Sequence, residues 1–227
     1  ENVPRVAGII EDELKKDGRL HQFSHLNIQT LVVNMEAYGL PQRRQRCIAG
    51  NLNFELLENY KDKTPRRTLG SVIKALSAKT VVDPLYEIEL ANTRLHDHVT
   101  EDVLSAEELR INRASKLYHP VYNRMPFPDP FERSVRTITA TCTRVSRESI
   151  VIDSPENSGK LRRLKIRERA SLQGFPITFQ FYANSYSQKL RMIGNAVPPA
   201  FAFYVAQAIL CVKPNDLASL NKQIAEF

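Results

Sequence analysis

Four short blocks of this sequence hold residue types that could do chemistry together. The chain opens Glu1-Asn2-Val3. Tyr38-Gly39-Leu40-Pro41-Gln42-Arg43-Arg44-Gln45-Arg46 contains a Q-x-R-x-R core. A third block runs from Arg162 through Arg167 and Glu168 to Leu172-Gln173-Gly174-Phe175-Pro176, and the fourth is Gly194-Asn195-Ala196-Val197-Pro198-Pro199. A planar guanidinium such as that of Arg44 or Arg46 can bridge a carbonyl and a neighbouring oxygen with its fork of donors. Gly194 permits close approach of backbone, and the Asn195 amide can satisfy polar groups of a ligand. Blander readings stand beside these: a solvated Glu1, a solvated basic loop at 43–46, and a purely structural third block in which Arg167 and Glu168 make local ion pairs.

Charge and composition narrow the partners. A net charge of +7 and a pI of about 9.4 favour polyanions, because neutralising phosphates releases condensed counterions. Cys47, Cys142 and Cys211 are far apart and form no CxxC pair, so reduced thiols are expected rather than a zinc site or a disulfide framework. Cys47, followed by Ile48 and Ala49, reads as a buried strand thiol. His96-Asp97-His98 and His119 have ligand chemistry but lie among prolines with no further ligand pattern, so no metal is expected. No apolar run approaches the ~18 residues of a membrane span, and no signal peptide is evident, which points to the cytoplasm. The abrupt start at Glu1 is read as that of a piece of a longer polypeptide in preference to a separate subunit.

Elements must hold these blocks in place. Val6, Ile9, Ile10 and Leu14 recur at helical spacing and predict a helix over 5–17, with Gly18 as its stop. The β-branched run 28–33 and the stretch 46–52 predict two antiparallel strands around the basic loop. From 54 to 160 prolines at 84, 120, 126, 128 and 130 argue against long regular elements. Within that span, Thr68–Leu76 predicts a short helix with Leu69, Val72, Ile73 and Leu76 on one side, and 135–145 and 149–152 predict strands. Arg167–Leu172 predicts a helix ended by Gly174-Phe175-Pro176. Pro198-Pro199 opens a last helix, apolar nearly all round and therefore expected to be deeply packed.

In order, the four blocks resemble the sixth, eighth, ninth and tenth motifs of the DNA cytosine-5 methyltransferase family. Three residues of Glu-Asn-Val carry little alone; the LQGFP and GNAVPP blocks are specific, and their order and spacing make the resemblance strong. It implies an α/β fold: the C-terminal part of a Rossmann-like S-adenosylmethionine-dependent methyltransferase sheet with an inserted, mixed and irregular target recognition domain. It implies Glu1 as the acid at cytosine N3, with Asn2 fixing the turn. Arg46 would reach the cytosine O2, and Arg44 would support the loop and contact phosphate, with Gln42 in support. Arg43, on an x position, reads as solvated. Gly194, Asn195 and Ala196 would shape the S-adenosylmethionine pocket. Arg162, Arg167 and Glu168 would support the recognition region. Arg136-Thr137-Ile138-Thr139 resembles the Thr-centred signature that contacts the backbone beside a flipped nucleotide, with Arg144, Arg147, Thr141 and Thr143 as further readers.

The resemblance divides the chain into 1–53 of the catalytic domain, a recognition domain over 54–160, and a return to the catalytic domain over 161–227. The partners implied are double-stranded DNA and the N-terminal half of the enzyme. The family's nucleophile lies in a Pro-Cys motif upstream of Glu-Asn-Val, and none of the three cysteines follows a proline; the glycine-rich donor-binding block is absent too. Alternatives are a non-catalytic DNA-binding partner of the same fold and an RNA cytosine methyltransferase. The long insert favours duplex DNA, since reading a duplex needs a groove-facing surface.

Overall fold

In a computed structural model of the chain, residues 3–120 and 124–212 are described; Glu1 and Asn2 lie outside them. The β-branched run forms strand β1 (Gln29–Asn34), with β2 (Gln42–Arg43) and β3 (Gln45–Gly50) after the turn. β1 and β3 pair antiparallel, Val33 opposite Arg46, as the alternation of residue types predicts. Helix α1 (Val3–Glu13) packs on both strands, and Thr30 donates to Glu11 at 2.5 Å. The helix ends earlier than predicted because the chain folds back at Gly18: the Leu20 amide bonds Glu13 O at 2.8 Å, and a Cβ on Gly18 would sit 2.1 Å from that oxygen.

Two apolar cores follow. The first joins Val33, Met35, Tyr38 and Leu40 to Leu57 and Tyr60 and to Phe201 and Ala208. Leu57 belongs to α2 (Phe54–Asn59), and Phe201 and Ala208 to the last helix (Pro199–Ile209). That helix is not buried all round: Ile209 and Leu210 are 60% and 69% exposed. An apolar sequence with no polar stripe does not say which side will be covered, and no described residue covers this one.

The second core is built on α3 (Leu69–Leu76), whose N-terminus is closed by a reciprocal Thr68–Ser71 capping box. All four residues of its predicted stripe are buried. They meet β4 (Thr80–Val82), antiparallel to β5 (Glu89–Ala91), and Val135, Ile138, Ile150 and Ile152. The same core takes in Leu164, Ile166, Ala170, Leu172 and Ile193. Among the described residues, 161–195 therefore pack with the insert, and the last helix returns to the first core. The boundary expected at 160/161 is crossed by pairing of β7 (Val151–Asp153) with β8 (Leu161–Arg163), which sets Ile152 opposite Arg162.

Two expectations for the insert change. The strand predicted over 135–145 is realised only as β6 (Val135–Arg136), because the threonines beyond it bond locally: Thr139 to Thr141 O at 3.0 Å, and the Thr143 amide to Ser146 Oγ at 3.2 Å. Conversely, α4 (Ala106–Leu117) is a twelve-residue helix where prolines argued against one. Its Ser105–Glu108 capping box was a readable start signal, and the prolines at 84 and 120 flank it without entering it. The remaining helices are α5 (Ile166–Leu172), α6 (Tyr186–Asn195) and α7, the last helix. Together α6 and α7 reach the length and apolarity of a membrane span, but Ala196 to Pro198 separate them.

Candidate functional site

Gln42 is fully buried, and its amide is used on both sides. Nε2 donates to Gln173 Oε1 at 2.7 Å and to Leu172 O at 3.3 Å, while Oε1 accepts from the Ile138 amide at 2.8 Å. The Leu172 carbonyl needs such a donor, since residue 176 is proline and has no amide with which to close a helical bond. Gln173 extends the chain of bonds by donating to Ala196 O at 2.9 Å. Arg44 then donates from Nη1 to Ile138 O at 3.0 Å and from Nη2 to Gly194 O at 2.9 Å. Segments 42–46, 136–140, 172–176 and 194–199, scattered through the sequence, thus meet in one buried polar network.

Burial is also what sets the electrostatics. Arg44 is 4% exposed and no described carboxylate pairs with it; desolvation, with the neighbouring charge of Arg46 adding, lowers its pKa to about 10. Its donors go to the Ile138 and Gly194 carbonyls, and at this burial it has almost no surface to offer a phosphate, contrary to that part of the expectation. At Gly194 a Cβ would lie 2.3 Å from Ala140 N and 2.4 Å from its Cα, so the missing side chain lets the insert's backbone approach α6.

Arg46 is half-buried on β3, and its pKa is lowered by burial. One donor, Nη1, bonds Gln45 O at 2.6 Å; the others make no described hydrogen bond. Asn195 is exposed at the end of α6, and its side chain has no hydrogen bond among the described residues; Val197, two positions on, is 65% exposed. The Ala196 carbonyl is committed to Gln173. Glu1 and Asn2, assigned as acid and turn former, lie outside the described residues.

The arginines expected to read DNA each have protein partners. Arg136 pairs with Asp129 at 2.9 Å and donates to Ser149 O at 2.5 Å. Arg144 grips both oxygens of Glu108 at 2.5 and 3.1 Å, pulling that carboxyl down to about 2, and Arg147 bonds Ser115 O. A loop without a strand ladder leaves carbonyls that guanidinium groups can meet, which a sequence pattern does not reveal. Thr137 donates to Arg43 O at 2.9 Å, tying the Thr-centred segment to the basic loop; Ile138 is buried.

The charged side chains of the third block are taken up by protein partners. Arg162 makes a buried bidentate pair with Glu168 at 2.7 and 2.8 Å, and Glu168 also accepts the Lys165 amide at 2.7 Å. Arg167 pairs not locally but with Asp97, at 3.4 Å, and donates to Phe179 O at 2.8 Å. Asp97 also accepts the Phe181 amide at 3.0 Å, so its carboxylate in the His-Asp-His segment serves packing. Cys47 is half-buried rather than buried. Sequence reasoning quoted Gln173 inside its motif but gave it no role; the proline at 176, which orphans a carbonyl beside it, was the available signal.

Among known proteins, the family model described as C-5 cytosine-specific DNA methylase matches residues 1–211. This chain belongs to the C-5 cytosine-specific DNA methylases. It is 28% identical over 206 residues to the type II methyltransferase M.MthTI of Methanothermobacter thermautotrophicus, covering 81% of this chain and 56% of that protein. To the type II methylase M.HgiDII of Herpetosiphon aurantiacus it is 26% identical over 234 residues, covering 92% and 63%. A shorter stretch of 48 residues is 52% identical to the type II methyltransferase M.FnuDI of Fusobacterium nucleatum, covering 21% of this chain and 14% of that protein. The chain thus spans less than two thirds of the length of these curated relatives. Among solved structures, the S. pombe Dnmt2 methyltransferase aligns over 85% of this chain and 60% of its own, with a TM-score of 0.46 and 13% identity.

Proposed function

We propose that the chain is the C-terminal part of a DNA cytosine-5 methyltransferase of type II restriction–modification kind, supplying the cytosine pocket and target recognition while the nucleophile comes from the N-terminal half. The observation that carries this is the meeting of the Q-x-R-x-R, LQGFP and GNAVPP blocks with the Thr-centred segment around Gln42 and Arg44, with Arg46 beside them keeping free donors. In the reaction, a thiolate adds to cytosine C6, C5 takes the methyl group, and loss of the C5 proton then expels the thiolate from C6 to restore the ring. Glu1 protonates or hydrogen-bonds N3, and Arg46 donates to O2, drawing off the charge that builds in the ring.

S-adenosylmethionine supplies the methyl group when bound. The unpaired amide of Asn195 and the exposed apolar side chain of Val197 fit a ligand with polar and apolar parts, so the 194–196 segment is its proposed holder. The thiolate belongs to a Pro-Cys motif in the N-terminal half, on the same longer polypeptide or a separate subunit. The substrate is cytoplasmic duplex DNA, with residues 54–160 reading sequence and Thr137 and Thr139 facing the backbone beside the extruded base. Extrusion costs a few kcal/mol, which contacts to the flanking phosphates must offset.

The test is methyl transfer from labelled S-adenosylmethionine by the chain combined with an N-terminal half that carries Pro-Cys. Arg46→Ala and Glu1→Gln should each lower kcat by on the order of 100-fold or more, the usual effect of removing a transition-state donor. Unchanged transfer in both variants would reject the assignment. Preference for tRNA over duplex DNA in competition would transfer the reading to RNA.

A further inference from the structure

A cleft of about 330 Å³ opens on the other side of the basic loop, lined by Arg43, Arg124, Arg133 and Arg136 with Asp129 as its carboxylate. Strand alternation separates it from the network described above: Gln42 and Arg44 point into the protein, whereas Arg43 between them is exposed. The β2–β6 ladder sets Arg43 directly opposite Arg136, so two cations share one face of a two-residue ladder. Like charges in that position are destabilising unless something lies between them.

Protein groups answer only part of this charge. Asp129 pairs with Arg136 and also accepts the Val151 amide at 3.0 Å, while Arg136 Nε is buried with no hydrogen-bond partner. Arg43, Arg124 and Arg133 are all exposed, and their guanidinium groups make no described hydrogen bond or ion pair. The nearby Glu36 carboxylate is taken by Ser134 and by Asn34.

We infer that this cleft is a binding site for a phosphate-bearing anion, gripped by Arg43, Arg124 and Arg133 over the half-buried Arg136. Forked guanidinium donors match phosphate oxygens, and an anion between Arg43 and Arg136 converts their repulsion into two attractions. The anion is either a phosphodiester of nucleic acid or a free phosphate, and these sources separate by experiment. The site does not depend on the cytosine-pocket assignment.

Binding of pyrophosphate and of a labelled DNA duplex is measured for the whole chain, for Arg43→Gln, for Arg133→Gln, and for Lys79→Gln. Lys79 is exposed and outside the cleft, so its variant controls for loss of one positive charge. If a DNA phosphate is the ligand, each cleft variant weakens duplex binding and reduces the slope of log K against log salt by about 0.9, the loss of one phosphate contact, with pyrophosphate competing. If the ligand is a free anion, pyrophosphate binds the native chain and is lost in the cleft variants while the duplex slope matches that of Lys79→Gln. Cleft variants that match Lys79→Gln in both measurements overturn the inference. Arginine-dependent pyrophosphate binding by a chain that supports no methyl transfer would retain this site and reject the methyltransferase reading.

Discussion

Replacing Gln42 by Met tests the network at its centre. Methionine is close in volume and apolar, so packing is largely kept while all three hydrogen bonds of the amide are lost. Two of the groups released have no alternative: the Ile138 amide, bonded to Gln42 Oε1 at 2.8 Å, and the Leu172 carbonyl beside Pro176. Each buried unsatisfied group costs about 1–3 kcal/mol, and relief from burying the glutamine amide itself returns roughly one such increment. The net expectation is a loss of about 3 kcal/mol, a large share of the roughly 5–15 kcal/mol typical of a folded domain. Urea unfolding followed by circular dichroism reads the global effect. Because two cores could unfold separately, hydrogen exchange at Ile138 reads the local one, and that amide should lose protection. A variant within 0.5 kcal/mol of native, with Ile138 exchange unchanged, would refute the claim that these bonds hold the segments together.

Gly194→Ala should be worse than an ordinary helix substitution, because its Cβ meets Ala140 backbone and not a flexible tip. A melting temperature lowered by several degrees, with weaker duplex binding as the 137–140 segment is pushed out, is the expected result. Glu168→Gln should cost about 1.5–3 kcal/mol in urea titration, since the fully buried Arg162 then keeps Glu156, at 3.1 Å from Nε, as its remaining carboxylate partner; converting Arg162 and Glu168 together to apolar residues should cost less. Lys116 provides the pH test: burial, with Arg136 adding, lowers its pKa from 10.5 to about 7. Between about 7 and 10.5 the unfolded chain binds the proton and the folded chain does not, so this group makes stability rise with pH across that window. Lys116→Met should flatten that rise, as seen in chemical-denaturation midpoints measured from pH 6 to 10.

Much that is local was legible. The stripe of α3, the antiparallel partnership of β1 and β3, the helix before Gly174 and the start of α7 at Pro199 all followed from spacing and end signals. So did the motif blocks and, through them, the family. Periodicity records which face of its own element a residue occupies, and end signals act within one turn, so these properties need only neighbours in sequence.

What the sequence left open depends on partners far along the chain. Nothing near Gln42 says that its amide will meet Gln173 and Ile138, or that Arg44 will be buried against Gly194 while Arg43 faces solvent above Arg136. Arg144 and Arg147 read as DNA contacts because free guanidinium groups suit that task; nothing near them in sequence says that they will meet Glu108 and Ser115. Which core the apolar residues of 161–195 enter was likewise open; they pack with those of the insert. A charged side chain has the same identity whether it binds ligand or protein; only the tertiary structure supplies or withholds the partner, and with it the desolvation that decides between them.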